Sequence, residues 1–146
     1  MPNLELENLH HVTIPVRDLD ASRNFYTEIL GLQEIERPDF DFGGAWYQLG
    51  DRQLHLICDE KATSTFRDGK SLDSRDAHFA VRVKSYRQTR DFLRSKGYSE
   101  DAQDELMRMK ENPQNPTPWR QLYIMDPDRN VIELNADREA EQLLDD

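Results

Sequence analysis

Three histidines and one glutamate of this 146-residue chain have types and positions that could do chemistry. Side chains alternate across a strand, so residues two apart share a face. In four predicted strands the apolar side chains occupy every second position and so share one face, or parity. The alternate positions, which form the opposite face, carry one residue each of a type that binds metals: His11, His55, His78 and Glu133. Imidazoles with a carboxylate suit Zn, Ni, Co, Mn or Fe(II), whereas calcium takes oxygen ligands alone. The pattern therefore predicts a divalent transition metal.

The simpler interpretation of each such residue is structural, because a lone strand histidine is more often a hydrogen-bonded residue of the fold than a ligand. His10 has that interpretation, since its parity is that of Val12 and Ile14. Cys58 shares the apolar parity of its strand, which predicts a packed thiol and not a nucleophile. For the three histidines and Glu133, the common parity at corresponding places of a repeat favours the metal.

The repeat itself is the most informative feature of the chain. The segment His11–Val16 recurs as His78–Val83, and a phenylalanine follows fourteen residues after each histidine. A glycine and a Trp-x-Gln-Leu tetrad also recur in the same order. The matching residues are Phe25 and Phe92, Gly31 and Gly97, and Trp46–Leu49 and Trp119–Leu122. These matches predict two copies of one unit.

Each unit is predicted to consist of a strand, a helix and three further strands, which makes the fold class α+β. The units open with strands near 9–16 and 77–83, and helices follow near 19–30 and 85–96. The other predicted strands lie near 33–37, 45–49, 53–58, 120–125 and 131–135. Turn residues at Gly50-Asp51 and Asp126–Asn130 separate strands. The second unit is six residues longer before its tryptophan, and residues 102–118, with three prolines, are predicted to form a mobile or lid-like loop.

The composition excludes several classes of protein. The chain carries 29 acidic and 19 basic residues, a net charge of −10, without a Lys/Arg block, which argues against nucleic-acid binding. It has no apolar run of about 20 residues for a bilayer and no apolar stretch of a secretory signal at its start. One cysteine excludes an internal disulfide, so we expect a cytoplasmic protein. We expect a single domain over 1–146, with modules at about 9–60 and 76–136 and an acidic tail, in part a frayed helix, over 137–146.

The sequence resembles the vicinal oxygen chelate superfamily, which includes glyoxalase I, methylmalonyl-CoA epimerase, extradiol dioxygenases and resistance proteins for fosfomycin and bleomycin. The resemblance covers residues 9–136. The segments that carry it are His11–Leu19, Phe25-Tyr26, Leu30–Leu32, His78–Val83 and Asp126–Leu134. It implies two βαβββ modules that form an incomplete barrel around a metal site. In many small members a homodimer completes the barrel, so His11 and His55 could pair with His78 and Glu133 of a second chain, and the two halves of the site can come from one chain or from two.

The resemblance also implies roles for the four residues. His11, His78 and Glu133 match metal ligands used across the superfamily, and Glu133 matches the base of glyoxalase-I-type proposals. The position of His55 varies, with Glu in glyoxalase I members and Gln in the epimerases. Four protein ligands leave an octahedral metal two places, enough for two neighbouring substrate oxygens, whereas extradiol oxygenation prefers three. The count therefore favours lyase or isomerase chemistry.

We expect a metal-dependent, glyoxalase-I-like lyase or isomerase that enolises a small carbonyl or hemithioacetal substrate, with a glutathione adduct as one candidate. Residues of cavity parity that could orient substrate oxygens are Arg82, Gln48, Gln121 and Tyr123. Trp46 and Trp119 either line the pocket or fill an end of the barrel. Two alternatives stay open, an Fe(II)-dependent extradiol-type dioxygenase and a non-catalytic or resistance-type binder of small molecules. A fosfomycin-type thiol transferase is a further one, although we find no potassium-binding loop.

Overall fold

Two units of the same design make up the chain, Met1–Phe66 and Arg67–Asp146. The computed structural model describes residues 3–61, 66–112 and 114–139. Each unit contains one four-stranded sheet and one main helix in the order strand, helix, strand, strand, strand. The predicted α+β fold with two βαβββ modules is therefore confirmed, and neither sheet closes on itself.

The first unit has four strands in the order β1-β4-β3-β2, with β1 parallel to β4 and the other pairs antiparallel. Its elements are β1 His11–Val16, α1 Leu19–Asn24, a π-helical turn Phe25–Ile29, β2 Gln33–Ile35, β3 Gly44–Leu49 and β4 Arg52–Cys58. The carboxylate of Asp18 accepts a hydrogen bond from the amide of Ala21 and so begins the helix. Gly50 has a φ of +61°, which lets the two-residue turn Gly50-Asp51 join β3 to β4.

The second unit repeats this arrangement with the order β5-β8-β7-β6. Its elements are β5 His78–Arg82, α2 Tyr86–Ser95, a 3₁₀ turn Glu105–Met107, β6 Lys110–Asn112, β7 Trp119–Met125 and β8 Val131–Asp137. The turn between β7 and β8 is held by Asp126, whose buried carboxylate accepts from the amides of Asp128 and Asn130. This turn fixes where β8 begins, and it therefore sets the position of Glu133 on that strand.

Because side chains alternate along a strand, the apolar residues of β1 and β4 face the core and the polar residues face the other side of the sheet. In β1, Ile14 and Val16 are buried while His11 is exposed, and in β4 Leu54 and Leu56 are fully buried. The strand β8 differs, because its residues are buried on both faces from Val131 to Ala136. Glu133 and Asn135 are therefore polar groups inside a closed environment, where each needs a hydrogen-bond partner.

The structure corrects three local expectations. The helix expected over 19–30 is α-helical only to Asn24 and ends in the π-helical turn. The segment 102–118 is not one loop, because it contains the 3₁₀ turn and the strand β6. The tail expected from Asp137 begins inside β8, and the frayed helix expected beyond residue 139 lies outside the described residues.

The predicted match between the tetrads Trp46–Leu49 and Trp119–Leu122 is also wrong, because they do not occupy equivalent positions in the two units. Trp46 pairs with His55, whereas the residue paired with Glu133 is Tyr123 and Trp119 pairs with Asp137. Tyr123 lies 45 residues after His78, and Trp46 lies 35 after His11, so the second unit is extended by ten residues and not by six. The tetrads are four positions out of register.

None of the helices in the part of the chain that the structure describes is long and apolar enough to cross a membrane.

Candidate metal centre

Two of the predicted ligands meet on the first sheet. His55 of β4 pairs with Thr13 in register, and His11 pairs with Gln53, so the two histidines are diagonal neighbours on one face. Their rings stack with centroids 4.1 Å apart and an angle of 19° between the planes. The parallel pairing of β1 with β4 therefore brings together two imidazoles that are 44 residues apart in the chain.

Neighbouring groups hold both rings. Trp46 of β3 stacks on the other face of His55, with centroids 3.9 Å apart and an angle of 4°. Nε2 of His55 donates to the side-chain oxygen of Gln53 at 2.8 Å, which leaves Nδ1 with the lone pair. His11 has its Nδ1 within 2.8 Å of Nδ1 of His10. His10, for which we expected a structural role, thus contacts His11 directly.

His55 stays neutral because its surroundings disfavour a charge. The side chain is buried, and burial is the main cause that lowers the pKa of His55 to about 4, with the charges of His11, His10 and Arg37 adding to it. A neutral imidazole is the form that binds a metal, so the ring is kept ready to act as a ligand.

This lowered pKa predicts a loss of stability in acid. An unfolded histidine titrates near pH 6.5, so between pH 6.5 and 4 the unfolded chain binds a proton that folded His55 does not. We expect His55 to contribute about 3 kcal/mol to the fall in unfolding free energy over this window in EDTA-treated protein. Urea titrations at several pH values should show a flatter profile for His55→Phe, which keeps a stacking ring. An equal slope for both proteins would contradict the assignment.

The other two predicted ligands meet on the second sheet. Nε2 of His78 lies 3.1 Å from Oε2 of Glu133. Nδ1 of His78 lies 2.7 Å from the backbone oxygen of Asp76, to which it can only donate. In a neutral ring the lone pair is then on Nε2 and points at a carboxylate. Two acceptors at this distance need a cation or a proton between them.

Glu133 is held from its other side as well. Its Oε1 accepts a hydrogen bond of 3.2 Å from the side-chain nitrogen of Asn135, and the oxygen of Asn135 accepts one of 2.6 Å from Nε of Arg82. Arg82, Asn135, Glu133, His78 and the Asp76 carbonyl thus form one continuous chain of polar contacts. Histidine ligands of metals usually donate their second N–H to such a carbonyl, and ligand carboxylates are usually hydrogen-bonded.

The donor set of each pair fits a divalent transition metal. Ligand atoms at about 2.1 Å from one metal and at right angles lie about 3.0 Å apart, and Nε2 of His78 and Oε2 of Glu133 are separated by 3.1 Å. His11 and His55 add nitrogen donors of the type that Zn, Ni, Co and Fe accept. Among the described residues, no group of three or more His, Cys, Asp or Glu side chains lies close enough to hold a metal ion. The structure thus brings the predicted ligands together as two pairs.

The residues expected to orient substrate have different surroundings. Arg82 is bonded to Asn135 and lies 3.9 Å from Asp137, while Gln121 accepts a hydrogen bond from Asn112. The amide of Gln48 donates to the backbone oxygen of Gly50 at 2.6 Å and so ties down the hairpin turn. These three side chains are therefore already used by the fold.

Tyr123 differs from these three because it is in contact with a predicted ligand. Its ring meets that of His78 edge-on, with centroids 5.6 Å apart, and its strand position pairs with Glu133. Burial, together with the charge of Glu133, raises the pKa of Tyr123. The phenol therefore stays protonated at neutral pH and keeps a hydroxyl donor beside the pair.

The sequence did not identify Asn135 as a site residue, and it did not decide whether Trp46 lines the pocket or fills an end of the barrel. Asn135 has the parity of Glu133 two positions earlier, so its position was a usable signal. Trp46 lies against His55, whereas Trp119 lies 5.7 Å from the guanidinium of Arg82. Arg37 is the last residue of the strand predicted near 33–37 and was not among the candidate site residues.

Comparison with known proteins identifies the family. Residues 8–134 match the model of the Glyoxalase/Bleomycin resistance protein/Dioxygenase superfamily, and the chain belongs to this superfamily. It is 28% identical over 132 residues to a protein named Glyoxylase I 4 from Arabidopsis thaliana, covering 90% of this chain and 71% of the relative. It is 25% identical over 136 residues to one named probable lactoylglutathione lyase from Vibrio parahaemolyticus, covering 89% and 91%.

Solved structures agree on the fold. A glyoxalase family protein from Bacillus anthracis superposes with a TM-score of 0.70 at 20% identity, covering 93% of this chain and 99% of the other. The fosfomycin resistance protein FosX from Listeria monocytogenes gives a TM-score of 0.65 at 18% identity, covering 94% and 99%. At these identities the likeness extends to the fold alone.

Proposed function

We propose that this protein is a metal-dependent lyase or isomerase of the glyoxalase I type, acting on a small carbonyl or hemithioacetal substrate. The observation that carries the proposal is the His78–Glu133 pair, whose facing atoms lie 3.1 Å apart while Asp76 and Asn135 hold the outer atoms. The names of the Arabidopsis and Vibrio relatives support glutathione hemithioacetals as the first substrates to test.

We further propose His11, His55, His78 and Glu133 as the ligand set, two residues from each unit. A bound divalent metal would supply Lewis acidity toward a carbonyl oxygen and the oxygen next to it. The neutral ring of His55 adds no charge to that set, and its presence raises the number of protein ligands from three to four. This count supports a substrate that brings two oxygens, and it argues against the three open positions of an extradiol dioxygenase.

Glu133 is the proposed base. In the reaction its carboxylate takes the proton from the carbon beside the carbonyl and returns it to the carbonyl carbon, while the hydroxyl proton of the hemithioacetal moves to the former carbonyl oxygen, so that no atom is gained or lost. Asn135 donates to Oε1, and Oε2, which faces Nε2 of His78, is the oxygen that would carry the proton. Glu133 is buried, and Tyr123, which pairs with it in register, can donate its hydroxyl hydrogen to a substrate oxygen.

Metal content is the first test of this proposal. We expect about one transition metal per chain in protein purified without added metal, and a clearly lower content in His55→Ala and in Glu133→Ala. The loss should exceed the 10- to 100-fold loss of affinity that follows removal of an outer hydrogen-bonding partner. Elemental analysis of each preparation gives the content.

The outcomes separate the three functions. Metal that is lost in both variants, with anaerobic turnover of a glutathione hemithioacetal, supports the lyase. Iron that His55→Ala retains, with oxygen consumption in the presence of a catechol, would contradict it in favour of a dioxygenase. Protein without metal that takes up none on dialysis would leave a small-molecule binder. Size-exclusion chromatography with light scattering tests the homodimer that we propose from the family.

A further inference from the structure

An arginine outside the ligand set lies close to the first pair of histidines. Arg37 follows β2, and its guanidinium packs against Gly44 at the start of β3, where a Cβ would come within 2.9 Å of Nε and 3.0 Å of Nη2. The Nη2 group donates to the backbone oxygen of Phe42 at 2.9 Å, which fixes the plane of the guanidinium. Nε is buried and has no hydrogen-bond partner among the described residues.

The charge of Arg37 is not neutralised within the described ranges, since no carboxylate there lies at ion-pair distance from it. This is notable in a chain with a net charge of −10. Arg23, for comparison, pairs with Glu34 on the neighbouring strand, and Arg67 pairs with Asp76. Arg82, the arginine that the sequence favoured for substrate, is engaged with Asn135. Arg37 therefore keeps its charge without a carboxylate partner in the described ranges.

Two exposed aromatic side chains flank this charge. Phe40 and Phe42 are 43% and 40% exposed, their rings lie 5.1 Å apart, and the guanidinium carbon of Arg37 lies 4.8 and 5.1 Å from their centroids. Phe40 lies 6.2 Å from Trp46, which in turn stacks on His55. We call the four rings of Phe42, Phe40, Trp46 and His55 the aromatic strip. It leads from the cation to a predicted metal ligand, all within the first unit.

A guanidinium with a fixed plane binds carboxylates well, and large aromatic surfaces gain free energy when an apolar body covers them. Exposed phenylalanines beside an uncompensated cation are typical of a binding surface and not of a core. We propose that Arg37 and the aromatic strip form a subsite for a carboxylate carried on a flat apolar body. The ligand class is an arylalkyl carboxylic acid, with its carboxylate at Arg37 and its ring on Phe40 and Trp46.

This inference rests on the proposed function, because it names the part of the substrate that is held away from the reacting carbon. A binding experiment without metal and without turnover tests it independently. The probe pair is 3-phenylpropionate and its neutral amide, which have the same shape and differ in charge. Isothermal titration calorimetry on the full chain in EDTA gives the affinities, and tryptophan fluorescence reports contact with Trp46.

We expect the acid to bind about tenfold more tightly than the amide, which is the range of one charge-assisted hydrogen bond. Arg37→Gln should weaken binding of the acid by about tenfold and abolish the preference for the acid. Phe40→Ala should weaken both probes equally, and because Phe40 is exposed this variant should fold normally. Arg90→Gln on α2, outside the first unit, is the matched control and should bind like the original protein.

Equal affinity of acid and amide for the original protein would overturn the proposal, as would an Arg37→Gln variant that keeps the preference. Loss of the preference in Arg82→Gln instead would return the anion site to the arginine favoured by the sequence. If the preference depends on Arg37 while the protein holds no metal, the subsite stands and the proposed lyase fails. If metal and turnover are present without any preference for the acid, the lyase stands and the subsite fails.

Discussion

Replacement of Glu133 by glutamine is expected to lower turnover of a glutathione hemithioacetal about a thousandfold, within the usual range for loss of a general base. Glutamine has nearly the same shape, and its carbonyl oxygen can still accept from Asn135. Its amide nitrogen can donate to the lone pair on Nε2 of His78, so the local hydrogen bonds survive. What is lost is the negative charge and the ability to take up a proton. The fold should therefore be kept while the chemistry fails.

The measurement is kcat under anaerobic conditions at saturating metal, so that weaker metal binding is compensated and the loss of the base is seen alone. Metal titration of the same variant reports the ligand role separately. Glu111→Gln is the matched control, because Glu111 is also partly buried and accepts from Tyr86 and Arg94 but lies on β6 away from the pair. Turnover of Glu133→Gln within a few-fold of the original protein would refute the role of Glu133 as base.

The shared face of His11 and His55 could be predicted because a strand has a period of two and one buried face. In β1 and β4 the apolar parity marks the core clearly, so His11 and His55 follow from alternation. Which residues of neighbouring strands pair with each other was harder to predict from the sequence. Hydrogen-bond register is a long-range property, so no local pattern shows that Tyr123 and not Trp119 stands beside Glu133.

The strand β8 shows a further limit of pattern reasoning. Because it is buried on both faces, its alternation separates the core from the site less clearly, and Glu133 was marked by its residue type and its place in the repeat as well as by its parity. The role of Asn135 becomes clear only from its hydrogen bonds to Glu133 and Arg82. Whether a side chain is free for a ligand depends on its bonds to other side chains, which composition and spacing do not show.

Arg37 was missed for a related reason. It is the last residue of the strand predicted near 33–37, but β2 ends at Ile35, so Arg37, Phe40 and Phe42 all lie in the connection to β3. Their importance comes from the contact of Phe40 with Trp46, from the contact of both rings with Arg37, and from the absence of a carboxylate partner for Arg37 in the described part of the first unit. Loops gain function from the rigid elements that position them. Here that element is β3, and its first residue, Gly44, is the described glycine at which an added Cβ would make the closest contact.

Gly44→Ala is expected to lower the free energy of unfolding by about 3 kcal/mol, the upper part of the usual range for overpacking. A Cβ at this position overlaps the backbone oxygen of Leu56, the residue that follows His55 on β4. It also meets the guanidinium of Arg37, which would have to move. A backbone oxygen held in the β3–β4 ladder cannot move without breaking the pairing that places Trp46 against His55.

Gly50→Ala is the matched control for this change. Gly50 lies six residues away in the same hairpin, and its φ of +61° imposes a conformational cost on alanine of about 1–2 kcal/mol. A Cβ there would meet no atom within 4 Å, so no steric cost is added. Urea unfolding of both variants measures the difference, and a smaller loss for Gly44→Ala than for Gly50→Ala would contradict the close approach. Because alanine at 44 also displaces Arg37, the folded fraction of that variant should bind 3-phenylpropionate and its amide equally, which Gly50→Ala should not do.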